Sequence, residues 1–258
     1  MPPETECADA ARLDGVDLQV LAQRMGTPLH VYSAAAIRQR IHALQTALQG
    51  LDTLVCYAVK ANANLAVLQL MAEAGLGADI VSAGELQRSL RAGIPAERIV
   101  FSGVAKSAGE IGDALAAGIG RFNVESRDEL QLLQSLAVAR NVIARASVRV
   151  NPDVDALTHS KISTGKSENK FGVAIDEARE WFTDGARLTH VRLDGLHVHI
   201  GSQMLHLDPI ERALQRVAAF WRELLASGHA IHSIDVGGGL GVRYRDGHDQ
   251  PVSVTDYA

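Results

Sequence analysis

From residue 54 onward the chain alternates between short apolar runs and longer stretches whose apolar residues recur every three or four positions. Strand-like runs fall at residues 54–59, 78–81, 99–102, 121–124, 147–150, 193–200 and 234–236, and helical patterns separate most of them. Leu65, Leu68, Met71 and Ala72 form one apolar stripe, and Leu130, Leu133 and Leu136 another, each able to bury against a sheet. Gly75, Gly93 and Gly118 follow such stripes, where helix C-caps favour glycine. Strands joined by crossover helices pair in parallel, so this succession predicts an α/β protein built on one parallel sheet.

Two architectures satisfy that alternation, an open doubly wound sheet and a closed (β/α)8 barrel. Asp79, Asn123, Arg149, His199 and Asp235 all fall at or just after strand-like runs, and only a closed ring brings them to one centre. A TIM-type barrel is therefore the expected fold, and 258 residues suit one such domain. Seven runs are legible before Ala258, which predicts a barrel truncated before strand 8. Ahead of the barrel, Leu18, Leu21, Ala22 and Met25 give residues 17–25 helical spacing, Gly26 stops them, and Pro28 opens an extended run at 29–32. Ser33 then caps a helix reaching about Gln49. The expected organisation is a tail, helix and strand over residues 1–32 and an incomplete barrel over 33–258.

Composition narrows the function. The formal net charge is -5 and no run of Lys or Arg offers a nucleic-acid or membrane footprint, which favours a small-molecule substrate. No stretch approaches the roughly 18 apolar residues of a membrane span. Cys7 and Cys56 lack ligand spacing and read as reduced thiols, and the N-terminus has neither a basic nor an apolar leader segment. The expected location is the cytoplasm.

Three features carry chemistry. Lys60 ends the first strand-like run, where a barrel keeps its catalytic groups, and an amine half sheltered there suits Schiff-base chemistry; a solvated flanking lysine is the alternative. His197 and His199 share one side of a strand, so they can ligate a metal, lie on a planar cofactor or pack as core histidines, and the following Gly201-Ser202 suits a phosphate. The run Asp235-Val236-Gly237-Gly238-Gly239-Leu240-Gly241 is either a flexible turn or a nest of N–H groups for an anion, at the place where barrels often bind phosphate. No GxGxxG motif follows the first strand, which disfavours a nicotinamide cofactor.

A lysine and a histidine at strand ends, with a glycine-rich phosphate loop, describe a pyridoxal phosphate site. Here the chain resembles the fold-type III pyridoxal phosphate decarboxylases, and within them the diaminopimelate decarboxylase family. The resemblance rests on Tyr57-Ala58-Val59-Lys60-Ala61-Asn62, Asp79-Ile80-Val81-Ser82-Ala83-Gly84-Glu85-Leu86, Phe101-Ser102-Gly103-Val104-Ala105-Lys106, Phe122-Asn123-Val124-Glu125-Ser126 and Val148-Arg149-Val150-Asn151-Pro152. It continues through Ser163-Thr164-Gly165, Lys170-Phe171-Gly172, His199-Ile200-Gly201-Ser202 and Gly237-Gly238-Gly239.

The resemblance implies pyridoxal 5'-phosphate as cofactor, held covalently by Lys60, with His199 stacked on its ring and Ser202, Gly237, Gly238 and Gly239 on its phosphate. Asp79, Glu85 and Arg149 match positions lining the site and equally suit structural ion pairs. It implies decarboxylation of meso-2,6-diaminopimelate to L-lysine, with ornithine or lysine as alternative substrates and a homodimer as the whole assembly. It also implies a following β-rich domain that supplies further site groups, so the 258 residues alone are expected to be weak or inactive. A non-catalytic pyridoxal phosphate-binding barrel is the rival class.

Overall fold

A computed structural model describes residues 12–155, 171–244 and 250–258. The segment Ser163-Thr164-Gly165 through Lys170, which the resemblance uses, and Cys7 lie outside the described residues. The chain divides between Leu51 and Asp52 into two compact units.

The first unit opens on a hairpin, β1 (Arg12–Leu13) and β2 (Val16–Asp17), where the sequence suggests a loose tail. Its turn is Asp14-Gly15, both with positive φ of 50° and 79°, the backbone that a tight two-residue hairpin loop demands. Two helices follow, α1 (Leu18–Met25) and α2 (Ala34–Ala47). The Asp17 carboxylate caps α1, and the Ser33 hydroxyl accepts from Ala36 N at 2.9 Å to cap α2. The Asp14 carboxylate ties the hairpin to α2 by accepting from the Ser33 hydroxyl at 2.8 Å. Residues 29–32, expected to be extended, pair with no strand among the described residues.

The second unit alternates strands and helices: β3 (Cys56–Ala58), α3 (Leu65–Glu73), β4 (Gly77–Ile80), α4 (Ala83–Arg91), β5 (Ile99–Phe101), α5 (Ala108–Ala117), β6 (Arg121–Val124) and α6 (Arg127–Arg140). It continues with β7 (Ala144–Asn151), β8 (Val173–Ala174), α7 (Ile175–Gly185), β9 (Val191–His197), α8 (Asp208–Ala226), β10 (Ser233–Asp235) and α9 (Val254–Tyr257). The sheet runs β10-β9-β7-β6-β5-β4-β3, every neighbour parallel, and β8 adds to the far end of β7. All seven strand-like runs of the sequence are strands of this path.

Serines start three of the crossover helices. Ser82, Ser107 and Ser126 lie just beyond β4, β5 and β6, and each hydroxyl accepts a backbone N–H of the following helix. Gly75, Gly93 and Gly118 end α3, α4 and α5 with φ of 73°, 93° and 69°, the left-handed conformation expected of them. Helix faces bury Leu68, Met71, Ile111, Leu133, Trp181, Phe220 and Leu224 against the sheet.

The sheet is strongly curled. From β6 to β10 there are three strand spacings, about 14 Å in a flat sheet, yet the side chains of Asn123 on β6 and Asp235 on β10 meet in a 2.8 Å hydrogen bond. Only wrapping toward a barrel closes that gap. Strand β7 is buried on both faces, with Val148 and Val150 on one and Ser147 and Arg149 on the other. The inward side is where polar groups collect.

Candidate active site

Lys60 follows β3 by two residues, in a single 3-10 turn over Val59–Ala61 rather than on the strand itself. Val59 is fully buried and anchors the turn, but the lysine is exposed, so the half shelter expected for its amine is not in place. Its charge nevertheless reaches both Asp79 and His199, which puts it at the mouth of the curled sheet with them.

Asp79 ends β4's inward side. Burial pushes its carboxyl up to about 6, the nearby Ser102 hydroxyl pulls it down, and neighbouring Asp235 raises it again. Its Oδ1 is buried with no hydrogen-bond partner among the described residues. Glu85, placed with Asp79 by the sequence, instead accepts from Val81 N at 2.8 Å in the first turn of α4. The carboxylate thereby caps the helix start, where its charge also suits the helix dipole.

His199 lies two residues beyond β9. Burial, then the charge of Arg149, lowers its pKa to about 4, so the imidazole is neutral at pH 7. His197, the last residue of β9, is deeply buried, and its Nδ1 has no hydrogen-bond partner among the described residues. No group of three or more His, Cys, Asp or Glu among the described residues is arranged to hold a metal ion.

Arg149 is 7% exposed and donates through Nη1 to both carboxylate oxygens of Glu125, at 2.9 and 2.8 Å. Its Nη2 reaches the His199 carbonyl at 3.4 Å, and its guanidinium lies 5.0 Å from the centre of the Phe171 ring. Arg149 is thus half of a buried ion pair that also fixes the backbone of His199. Glu125 sits within a motif that carries the resemblance, but sequence reasoning gave it no role; its pairing across 24 residues is a product of adjacent strands. Lys106 is similar: wholly buried, it donates to the carbonyls of Gly103 and Asn123 and to Glu129, at 2.7 to 2.8 Å.

The loops after β9 and β10 are zipped together. Met204 N donates to Gly239 O at 3.0 Å, Gly241 N to Met204 O at 2.9 Å, and Val242 N to the Gln203 side chain at 2.9 Å. Ser202 and the glycine run therefore lie on adjoining loops, as a shared phosphate site requires. Gly237, Gly238 and Gly239 have φ of 71°, 78° and 91°. A Cβ on Gly237 would meet the Val198 carbonyl and come within 2.9 Å of His199 Nδ1, and one on Gly239 would strike the Gly201 carbonyl. Gly237 N donates to Asp235 at 2.9 Å and Gly238 N to Val236 O at 2.9 Å, leaving Gly239's N–H with no hydrogen bond among the described residues.

Residues 34–258 match the family described as pyridoxal-dependent decarboxylase, pyridoxal binding domain. The chain is 50% identical over 244 residues to diaminopimelate decarboxylase of Pseudomonas aeruginosa, covering 95% of this chain and 58% of that one. It is 45% identical over 240 residues to diaminopimelate decarboxylase of Aquifex aeolicus, covering 93% of this chain and 57% of the relative. Among solved structures, diaminopimelate decarboxylase of Helicobacter pylori complexed with L-lysine superposes with a TM-score of 0.89 at 45% identity, over 93% of this chain and 60% of that one. The chain thus spans under two thirds of the length of the relatives it matches. No helix among the described residues is long and apolar enough to cross a membrane. Sequence match and superposed shape agree, and the chain belongs to the pyridoxal-dependent decarboxylases through their pyridoxal binding domain.

Proposed function

We propose that this chain forms the pyridoxal phosphate-binding part of a decarboxylase acting on meso-2,6-diaminopimelate, with L-lysine and carbon dioxide as products. The observation that carries the reading is the convergence of Lys60, neutral His199 and the paired loops of Ser202 and Gly239 at one mouth. The 45 to 50% identity to diaminopimelate decarboxylases supports the choice of substrate.

The residues fit the cofactor. An exposed amine is free to react with an aldehyde, a neutral imidazole packs on an aromatic ring without a charge penalty, and Gly239's N–H suits a phosphate oxygen. When bound, pyridoxal phosphate supplies a conjugated ring that takes up the electron pair of the broken Cα–carboxylate bond. Lys60 would form the covalent attachment through Nζ and yield it to the substrate amine. Asp79 lies close to Lys60, and its unpartnered Oδ1 would accept the proton that the ammonium must shed before it can attack. His199, its backbone fixed by Arg149, would hold the ring plane, and Ser202 with Gly237, Gly238 and Gly239 would hold the phosphate. Glu85 would act at one remove, by setting the start of α4 beside Asp79. The resemblance also implies a homodimer in the cytoplasm, a state that light scattering of the cofactor-loaded chain tests.

The functional reading is tested by loading the chain with pyridoxal phosphate and following its absorbance as meso-diaminopimelate, ornithine and lysine are added in turn. Saturable change with meso-diaminopimelate at the lowest concentration is expected, and its loss in Lys60→Ala. Preference for ornithine or lysine would move the substrate assignment, and no response to any would favour a non-catalytic binding barrel.

A further inference from the structure

The glycine loop hangs from a buried polar chain that crosses the interior of the curled sheet. Asp235, the last residue of β10, accepts from Gly237 N through Oδ1 at 2.9 Å and from Asn123 Nδ2 through Oδ2 at 2.8 Å. Asn123 is fully buried on β6, and its same amide nitrogen donates to Ser102 Oγ at 3.1 Å. The Ser102 hydroxyl in turn lies near enough to the Asp79 carboxyl to lower its pKa. Every member sits on a different strand or strand end, so the chain links the far sides of the sheet.

The donor count makes the link directional. Asn123 offers two N–H groups and spends them on Ser102 and Asp235, neither of which donates to it in return. Asp235 keeps its charge because burial, which opposes ionisation, is outweighed by His197 beside it and by the hydrogen bonds from Asn123 and Gly237. Gly237 is packed closely on Val198 and His199, which hold one side of it while Asp235 holds its N–H. A shift of Asp235 would therefore be passed to the phosphate loop.

The geometry points to Asp235 and Asn123 as positioning residues: a brace that presets the glycine loop for a phosphate, and with it the specificity for a phosphorylated over an unphosphorylated ligand. The inference rests on the proposed cofactor site, since the brace matters only if a phosphate binds there. Asp235 itself touches no ligand in this scheme. It acts through Gly237, and an unbraced loop would have to be ordered at the moment of binding, at a cost in affinity.

The test compares pyridoxal phosphate with pyridoxal, which lacks the phosphate, binding to the wild-type chain, Asp235→Asn, Asn123→Ala and the double variant. Asparagine at 235 cannot accept from both neighbours, so one link is lost at nearly constant volume. Affinity for pyridoxal phosphate is expected to fall about tenfold in each single variant, with pyridoxal affinity changed less than about twofold. The double variant is expected to be no weaker than the weaker single one, because both break one chain. Equal losses for the two ligands would mean a merely structural role and overturn the brace, as would losses that multiply in the double variant. Inorganic phosphate protecting the wild-type chain from proteolysis, but not Asp235→Asn, gives a second readout that needs no aldehyde. A wild-type chain with no preference for pyridoxal phosphate over pyridoxal would overturn the site reading itself, and the brace with it. A wild-type preference that survives in both variants would overturn the brace alone.

Discussion

Gly237→Ala and Gly238→Ala form the sharpest pair of perturbations, because neighbouring glycines with nearly the same backbone face different surroundings. Both have positive φ, 71° and 78°, so an alanine at either costs roughly 1–2 kcal/mol in left-handed strain. At Gly238 a Cβ would meet nothing within 4 Å. At Gly237 it would meet the Val198 carbonyl, and His199 Cβ at 2.7 Å and Nδ1 at 2.9 Å, so backbone or imidazole must move. Overpacking of this kind adds about 1–3 kcal/mol. Gly238→Ala is therefore expected to lose roughly 1–2 kcal/mol of unfolding free energy, and Gly237→Ala roughly 2–5 kcal/mol. Any gain from a stiffer unfolded chain is common to both and drops out of the difference. Urea unfolding at pH 7, followed by tryptophan fluorescence, measures that difference directly. Equal losses, or a larger one at Gly238, would refute the claim that Gly237 is packed against His199.

Other outcomes follow from the same interior. Arg149→Met strands the Glu125 carboxylate in a buried site and is expected to cost about 3–5 kcal/mol in urea unfolding, with Arg149→Met/Glu125→Gln recovering much of it. Asp79→Asn has a pH signature. The folded-state pKa of about 6 lies above the ordinary 3.8, so the fold holds this proton more tightly than the unfolded chain does. The native state consequently loses stability as pH rises from about 4 to about 6, by at most roughly 3 kcal/mol, and keeps that penalty above it. Asn at 79 is expected to stabilise the chain at pH 8 and to be near neutral at pH 4, by unfolding at both. Glu85→Ala should cost about 1 kcal/mol while Glu85→Gln, which keeps an acceptor for Val81 N, should cost little; equal losses would speak for a role of the charge itself.

Much of the fold was legible because its signals are local. Apolar periodicity located all seven strands of the parallel path, and glycines with forced left-handed backbone marked the ends of α3, α4 and α5. The hairpin at Asp14-Gly15 carries a turn signal within residues expected to be tail. Part of the candidate site was legible as strand ends: Asp79 and His199 lie within electrostatic reach of Lys60, and Gly237 packs against His199. What could not be read was pairing. Asn123 and Asp235 are separated by 112 positions, and nothing in either neighbourhood announces their hydrogen bond. Likewise the shelter of Lys60 and the partners of Glu85 and Arg149 depend on loop and side-chain placement that periodicity does not encode.

Lys60 as the cofactor lysine can be put against four other lysines in the same chain: Lys106, Lys161, Lys166 and Lys170. Lys106 is buried with its ammonium hydrogens spent on two carbonyls and Glu129, which makes it a built-in unreactive control. The chain would be incubated with pyridoxal phosphate, reduced with borohydride and mapped by peptide mass. Label on Lys60 alone is expected; label spread over the other lysines, or absent from Lys60, would mean that Lys60 does not hold the cofactor.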